Sequence, residues 1–189
     1  MINDNSYSLA GQLLLAMPGM VDPNFDNTVT YICEHSEKGA LGLIINRPTD
    51  LNISEVLEQL SLPNTGSHLT QQPVLRGGPV QADRGFVIHE SAQNWDSTTE
   101  VGHSIYVTTS QDILSAVAKG DGPERMLLAL GYAGWGAGQL EEEIRQNAWL
   151  TAPATPELVF STPFERRWQA SAAVIGVDLA SLSPTAGHA

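Results

Sequence analysis

The chain has 189 residues, 42% of them hydrophobic and 16% charged, with 21 acidic side chains against 9 basic ones and a formal net charge of −12. This is the composition of one globular domain, residues 1–189, large enough to bury roughly 70% of its unfolded surface. The charge argues against direct binding to nucleic acid or to an anionic membrane, since both need a positive patch to displace counterions.

Cys33 is the single cysteine, which excludes an internal disulfide and any CxxC metal or redox pair. No apolar run reaches the length of a membrane span, and Met1-Ile-Asn-Asp carries no cationic leader, so a cytoplasmic location is expected. No fixed-period repeat is visible.

In chain order, residues 1–8 are polar and expected to be loose. Leu9–Met17 is a short apolar run closed by Pro18-Gly19, which predicts a buried strand. Asp22-Pro23-Asn24 predicts a turn, and Thr28–Cys33 a strand rich in β-branched and aromatic residues. Strict alternation places Val29, Tyr31, Cys33 and His35 on one face. Glu37-Lys38-Gly39 links it as a hairpin to Ala40–Ile45, closed by Asn46-Arg47-Pro48.

Asn52 and Glu55 form a capping box ahead of Ile53, Val56, Leu57 and Leu60, the i, i+3, i+4, i+7 spacing of a buried helical face. Leu62–Pro73 reads as a mobile loop. Val74–Arg76 continues as a strand into the turn Gly77-Gly78-Pro79. Gly85–His89 and Ser104–Thr108 predict two more strands, with a polar connection over Asn94–Gly102.

Ser110 is the expected cap of a helix with the apolar face Ile113, Leu114, Val117 and Ala118, ended by Gly120. Met126–Leu130 is a buried strand running into the glycine-rich Gly131–Gly138. A helix over Gln139–Asn147 follows, with Glu141 and Arg145 spaced as an i, i+4 pair. Trp149–Thr151 and Glu157–Phe160 predict late strands. Thr162-Pro163-Phe164-Glu165 has the cap, proline and glutamate of a helix start, and 181–189 reads as a loose tail. At least seven strands and about four helices, with hairpin-length links, predict an α+β fold: a mixed, largely antiparallel sheet flanked by helices.

The blocks Gly11–Pro18, Asp22–Phe25, Cys33–His35, Gly39–Pro48, Gly77–Val80, Gly85–His89, Gly131–Glu141, Asn147–Trp149 and Gly187–Ala189 together resemble the bacterial AlgH/YqgE family, in register from about residue 9 to the last residue. The resemblance implies an α/β sandwich with a bifurcated, partly barrel-like sheet surrounded by helices. Family members carry a transcriptional-regulator label without a defined mechanism. Given the charge of this chain, the expectation is an indirect route through a protein or small-molecule partner.

For chemistry, Cys33 and His35 on one strand face make a conceivable nucleophile and base, set against a buried packing cysteine, the commoner role. The five histidines (His35, His68, His89, His103 and His188) include no helical i, i+4 pair, although His35 and His89 have Glu34 and Glu90 beside them. No metal and no cofactor are expected. The stretch Gly134–Gly138 lacks the lysine of a phosphate loop, and Glu141, Glu142 and Glu143 follow it and repel phosphate.

Asn46 and Arg47 at one strand end, Gly77 and Gly78 at another, and Trp135 among glycines are the candidate ligand- or partner-binding residues, because arginine and tryptophan dominate binding hot spots. Against this, Arg47 also fits as a loop anchor paired with one of the many carboxylates. A non-enzymatic binding or regulatory module is the resulting expectation.

Overall fold

The computed structural model describes residues 8–64, 66–90, 93–178 and 182. The expectations for residues 1–7, for most of the tail over 181–189, and for Gly187-His188-Ala189 lie outside the described residues.

The first apolar runs pair as an antiparallel meander of β1 (Gln12–Ala16), β2 (Val29–Ser36) and β3 (Gly39–Ile44), with Ser36 opposite Gly39 at the tight hairpin. β4 (Pro48–Asn52) and β5 (Pro73–Arg76) pair with each other across α1 (Ile53–Gln59). β6 (Val80–His89), β7 (Thr98–Gly102), β8 (Ile105–Thr108) and β9 (Met126–Gly136) complete the second arm, and β10 (Trp149–Pro153) flanks β1. The strand order is β10-β1-β2-β3-β9-β6-β8-β7, with β5 the one parallel neighbour, on β9. The result is a mixed α/β architecture around a curled, largely antiparallel half-barrel sheet.

The bifurcation originates in β9. Its second half, Ala133–Gly136, pairs with β3, whereas Met126–Leu130 pairs with β6. Between them Gly131 has φ +80°, a left-handed conformation that turns the strand from one arm to the other. The chain after β5 crosses against this kink. A Cβ on Gly77 would stand 2.3 Å from the Gly131 carbonyl oxygen, and one on Gly78 would stand 2.1 Å from the Tyr132 carbonyl carbon. Only glycine fits there.

Three apolar layers follow. Between the arms lie Leu13, Tyr31, Leu43, Phe86, Ile88 and Val107, capped by Trp168 of α4 (Arg167–Val174). On the outer face of the second arm, α1 and α2 (Asp112–Lys119) pack Ile53, Leu57, Ile113 and Val117 on Val87 and Leu128. Outside the first arm, Leu140 of α3 (Gln139–Arg145) covers Leu14, Ile32 and Trp135.

Several expectations are corrected. Pro48 starts an edge strand rather than closing a turn, a position that needs no ladder N–H. β6 begins at Val80, and the polar stretch before Gly102 contains β7, whose exposed residues lack an apolar alternation. Glu157–Ser161 is a π-helical turn, not a strand, since a run of three apolar residues does not distinguish the two. Leu60 is the C-cap of α1 and 38% exposed, off the buried face. Ser110 does not cap α2: its hydroxyl donates to Asp112 and accepts from the Ser97 N–H, which ties the approach to β7 onto the helix. Thr162 likewise donates to the Glu157 carbonyl, although a helical turn does begin at Phe164. The stretch 62–73 contains a one-turn 3-10 helix, His68–Gln71, capped by Ser67 and burying Leu69 and Thr70.

Candidate functional site

Arg47 lies just beyond β3, where its guanidinium donates to the carbonyls of Asn24 (2.7 Å) and Asp26 (2.8 Å). Asn46 works alongside it, accepting the Val29 N–H and donating to the Asn27 carbonyl, each at 2.9 Å. Arg47 is an anchor, as the alternative reading proposed, but to backbone carbonyls rather than to a carboxylate. Burial, and then Arg76, lowers its pKa.

Phe25 lies between the two gripped carbonyls. Its ring packs 6.3 Å from Trp135 and 5.7 Å from Trp149, centroid to centroid. Trp135 is only 6% exposed. Arg47, Asn46 and Trp135 are thus joined, through Phe25, into an internal clamp. Gly77 and Gly78 are buried at the β9 crossing. Asn46 and Arg47 border a hollow of about 350 Å³ with Glu165 and Trp168, and Trp135 borders a separate one with Gly39 and Ala40.

The Cys33–His35 pair does not assemble. A bulge between Ile32 and Glu34 breaks the alternation of β2, so Cys33 stays with the inter-arm core while His35 turns toward α3. The His35 Nδ1 accepts the Leu9 N–H at 2.8 Å, which leaves the proton on Nε2 to be donated to Glu141. Both ring nitrogens are engaged and the side chain is 4% exposed. Burial, with Glu34 adding to it, pushes the Cys33 thiol pKa up, away from thiolate chemistry.

Glu141 therefore serves His35, and Arg145 pairs with Glu142 at i, i+3 instead. The hydrogen bond from His35 holds the Glu141 carboxyl below its usual range. His89 is fully buried, bonded to Thr108 at 2.7 Å and stacked on Tyr106, while Glu90 pairs with Arg125. Among the described residues no cluster of three or more His, Cys, Asp or Glu is arranged to hold a metal ion. No helix among them is long and apolar enough to cross a membrane.

The place where unengaged polar groups converge is the mouth of the half-barrel, a cleft of about 330 Å³ between the arms. Cys33, Glu34 and Leu41 line it from the first arm, and Arg84, Phe86 and Val107 from the second. Residues 96–99 and Val101 form its side. Alternation along β6 brings Arg84 inward with Phe86 and Ile88, while Val87 faces the helices.

The Arg84 guanidinium rests 5.0 Å from the Phe86 ring centroid and 5.7 Å from that of Tyr132. It has no carboxylate or hydrogen-bond partner among the described residues. The hydroxyls of Ser97, Thr99 and Thr109 are likewise uncommitted among those residues. By contrast, the hollow of about 360 Å³ between α1 and α2, floored by Val56, Leu114, Leu128 and Leu130, presents no cation.

Sequence reasoning missed Arg84 because it began this strand at Gly85. The i, i+2 spacing of Arg84 and Phe86 was the available signal. Nothing local marked Ser97 or Thr99.

A family profile described as AlgH-like matches residues 13–180. A UPF0301 protein of Thioalkalivibrio sulfidiphilus is 54% identical over 97% of this chain and 98% of its own length. One from Xanthomonas campestris is 53% identical over 96% of each. The solution structure of the AlgH protein from Pseudomonas aeruginosa superposes with a TM-score of 0.79 at 51% identity, over all of both chains. A Corynebacterium diphtheriae protein of 24% identity, covering 92% of this chain and 90% of that one, shares the fold at a TM-score of 0.72.

Proposed function

The chain belongs to the AlgH-like family, and we propose that it is a small-molecule-binding, non-enzymatic module of the cytoplasm whose ligand site is the half-barrel mouth. The observation that carries this reading is the Arg84 guanidinium. In a chain of net charge −12, rich in available carboxylates, it rests on two aromatic rings and joins none of them. Arg84 is exposed, so with one face of its guanidinium on aromatic rings its N–H donors remain open to a partner delivered into the same hollow.

Any influence on gene expression then runs through the state of this cleft and a protein partner, since the charge of the chain opposes direct contact with nucleic acid. The Cys33–His35 enzyme has no support in the geometry, because a bulge separates the two side chains and burial keeps the thiol protonated.

The test is native mass spectrometry of the full chain incubated in a bacterial small-molecule extract, with Arg84→Gln alongside. A bound mass present on the wild type and lost from the folded variant supports the cleft. No bound mass, or one that the variant retains, overturns it.

A further inference from the structure

The charges around the mouth constrain the ligand more tightly than its volume does. Arg84 approaches from β6, Glu34 from β2, and Asp96 from the segment before β7, all lining the same cleft. All three are exposed at the rim, and no ion pair joins the cation to either carboxylate. The side chains of Glu34 and Asp96 make no hydrogen bond to another described residue. Asp96 is positioned through its backbone, whose N–H bonds the Asp112 carboxylate at 2.8 Å.

The bulge in β2 is what brings Glu34 here, since it keeps Cys33 and Glu34 both on the cleft while turning His35 away. The floor is apolar, built of Phe86, Val107, Leu41 and Val101.

A simple anion meets one guanidinium and two carboxylates, a net repulsive field. A simple cation leaves the guanidinium unmatched and close to its own charge. A ligand carrying both signs on adjacent atoms answers both walls, and discrimination against either half-ligand follows from the charge left unpaired. An apolar group on the same ligand covers the floor, and the free hydroxyls of Ser97, Thr99 and Thr109 supply hydrogen bonds at the rim. A volume of about 330 Å³ is at the small end of ligand sites, so the ligand is small.

Resting on the reading of the mouth as a ligand site, we infer that its ligand is a free α-amino acid with an apolar side chain. Its carboxylate would lie on Arg84, its ammonium toward Glu34 and Asp96, and its side chain over Phe86.

The experiment titrates the full-length protein by amide NMR with three probes of one carbon skeleton: L-leucine, 4-methylpentanoate, which lacks the ammonium, and 3-methylbutylamine, which lacks the carboxylate. Leucine is expected to shift the amides of Glu34, Arg84 and Thr99 saturably, at least ten-fold more tightly than either half-probe. Arg84→Gln is expected to reduce leucine to the level of the amine, and a combined Glu34→Gln, Asp96→Asn variant to the level of the carboxylate.

Equal binding of leucine and 4-methylpentanoate overturns the amino-acid assignment while leaving the cleft a ligand site. So does binding that survives both sets of substitutions but still maps to the mouth. If none of the three probes moves the cleft amides, the amino-acid inference falls. The broader reading is then decided by the extract experiment, which does not depend on the choice of probe.

Discussion

Arg47 and Arg84 each sit beside strands that carry aromatic rings and glycines, and by residue type their surroundings are much alike. Arg47 holds two backbone carbonyls that bracket Phe25, and Phe25 fills the space against Trp135 and Trp149. Arg84 rests on Phe86 and Tyr132 and holds nothing. The difference lies in where the donors go. A guanidinium whose N–H groups end on the protein's own carbonyls is part of the scaffold. One whose donors face a hollow is available to a ligand.

The clamp around Arg47 is disrupted most strongly at the strand crossing that supports it. Gly78→Ala places a methyl group inside the Tyr132 backbone and is expected to cost roughly 4 kcal/mol or more, or to prevent folding. A chemical-denaturation change below about 1 kcal/mol would show that β5 and β9 do not meet as described. Trp135→Ala, in the same clamp, is expected to cost about 3–4 kcal/mol by the same measurement, because a buried ring packed on two others leaves a cavity.

Arg47→Met keeps the aliphatic stem and removes the donors. The expected loss is about 1–2 kcal/mol, with leucine binding at the mouth unchanged. Weakened binding in this variant would mean that the two arginines are not separable.

Glu141→Gln tests the third polar device, the bond to His35. The folded pKa of Glu141 is depressed. Its contribution is therefore full above the ordinary carboxylate value of about 4.3 and is lost as pH falls through the lower folded value. Because Glu141 is 41% exposed, solvent screening limits the loss at pH 7 to about 0.5–1 kcal/mol. Denaturation midpoints of wild type and variant should converge as pH falls below the depressed folded pKa of Glu141, and a gap that persists in acid would assign the loss to packing. The smallest expected effect is that of Arg84→Gln on stability, within about 0.5 kcal/mol, since the side chain holds no other part of the chain. A larger loss would make Arg84 a second scaffold arginine.

Much of the fold is legible in the sequence because burial has a period. Val56 and Leu57 behind Asn52, and Ile113, Leu114 and Val117 of α2, declare their faces without any tertiary information. Pairs that depend on a distant partner are not legible. β7 has an exposed threonine and an exposed glutamate, Thr99 and Glu100, and becomes a strand because β8 lies beside it.

The side-chain partnerships are hidden for a related reason. A one-residue bulge at Cys33 reverses the face of every following side chain, and no local signal marks it, so Cys33 and His35 looked like partners. Arg47 and Trp135 were rightly singled out as unusual, but sequence spacing cannot say that Asn24 and Asp26 provide the carbonyls that occupy Arg47. Glu141, expected to pair with Arg145, is recruited by a histidine 106 positions earlier.

β9 runs through both arms and donates to ladders on each side of Gly131. Neither arm can be peeled away without removing a strand from the other, so partial unfolding along the sheet is not an independent event. In hydrogen-exchange terms, the amides of Leu128 and Ala133, on opposite sides of the kink, should exchange only through the same global opening and share one free energy as denaturant is added. The frayed edge at β7 should open at far lower cost.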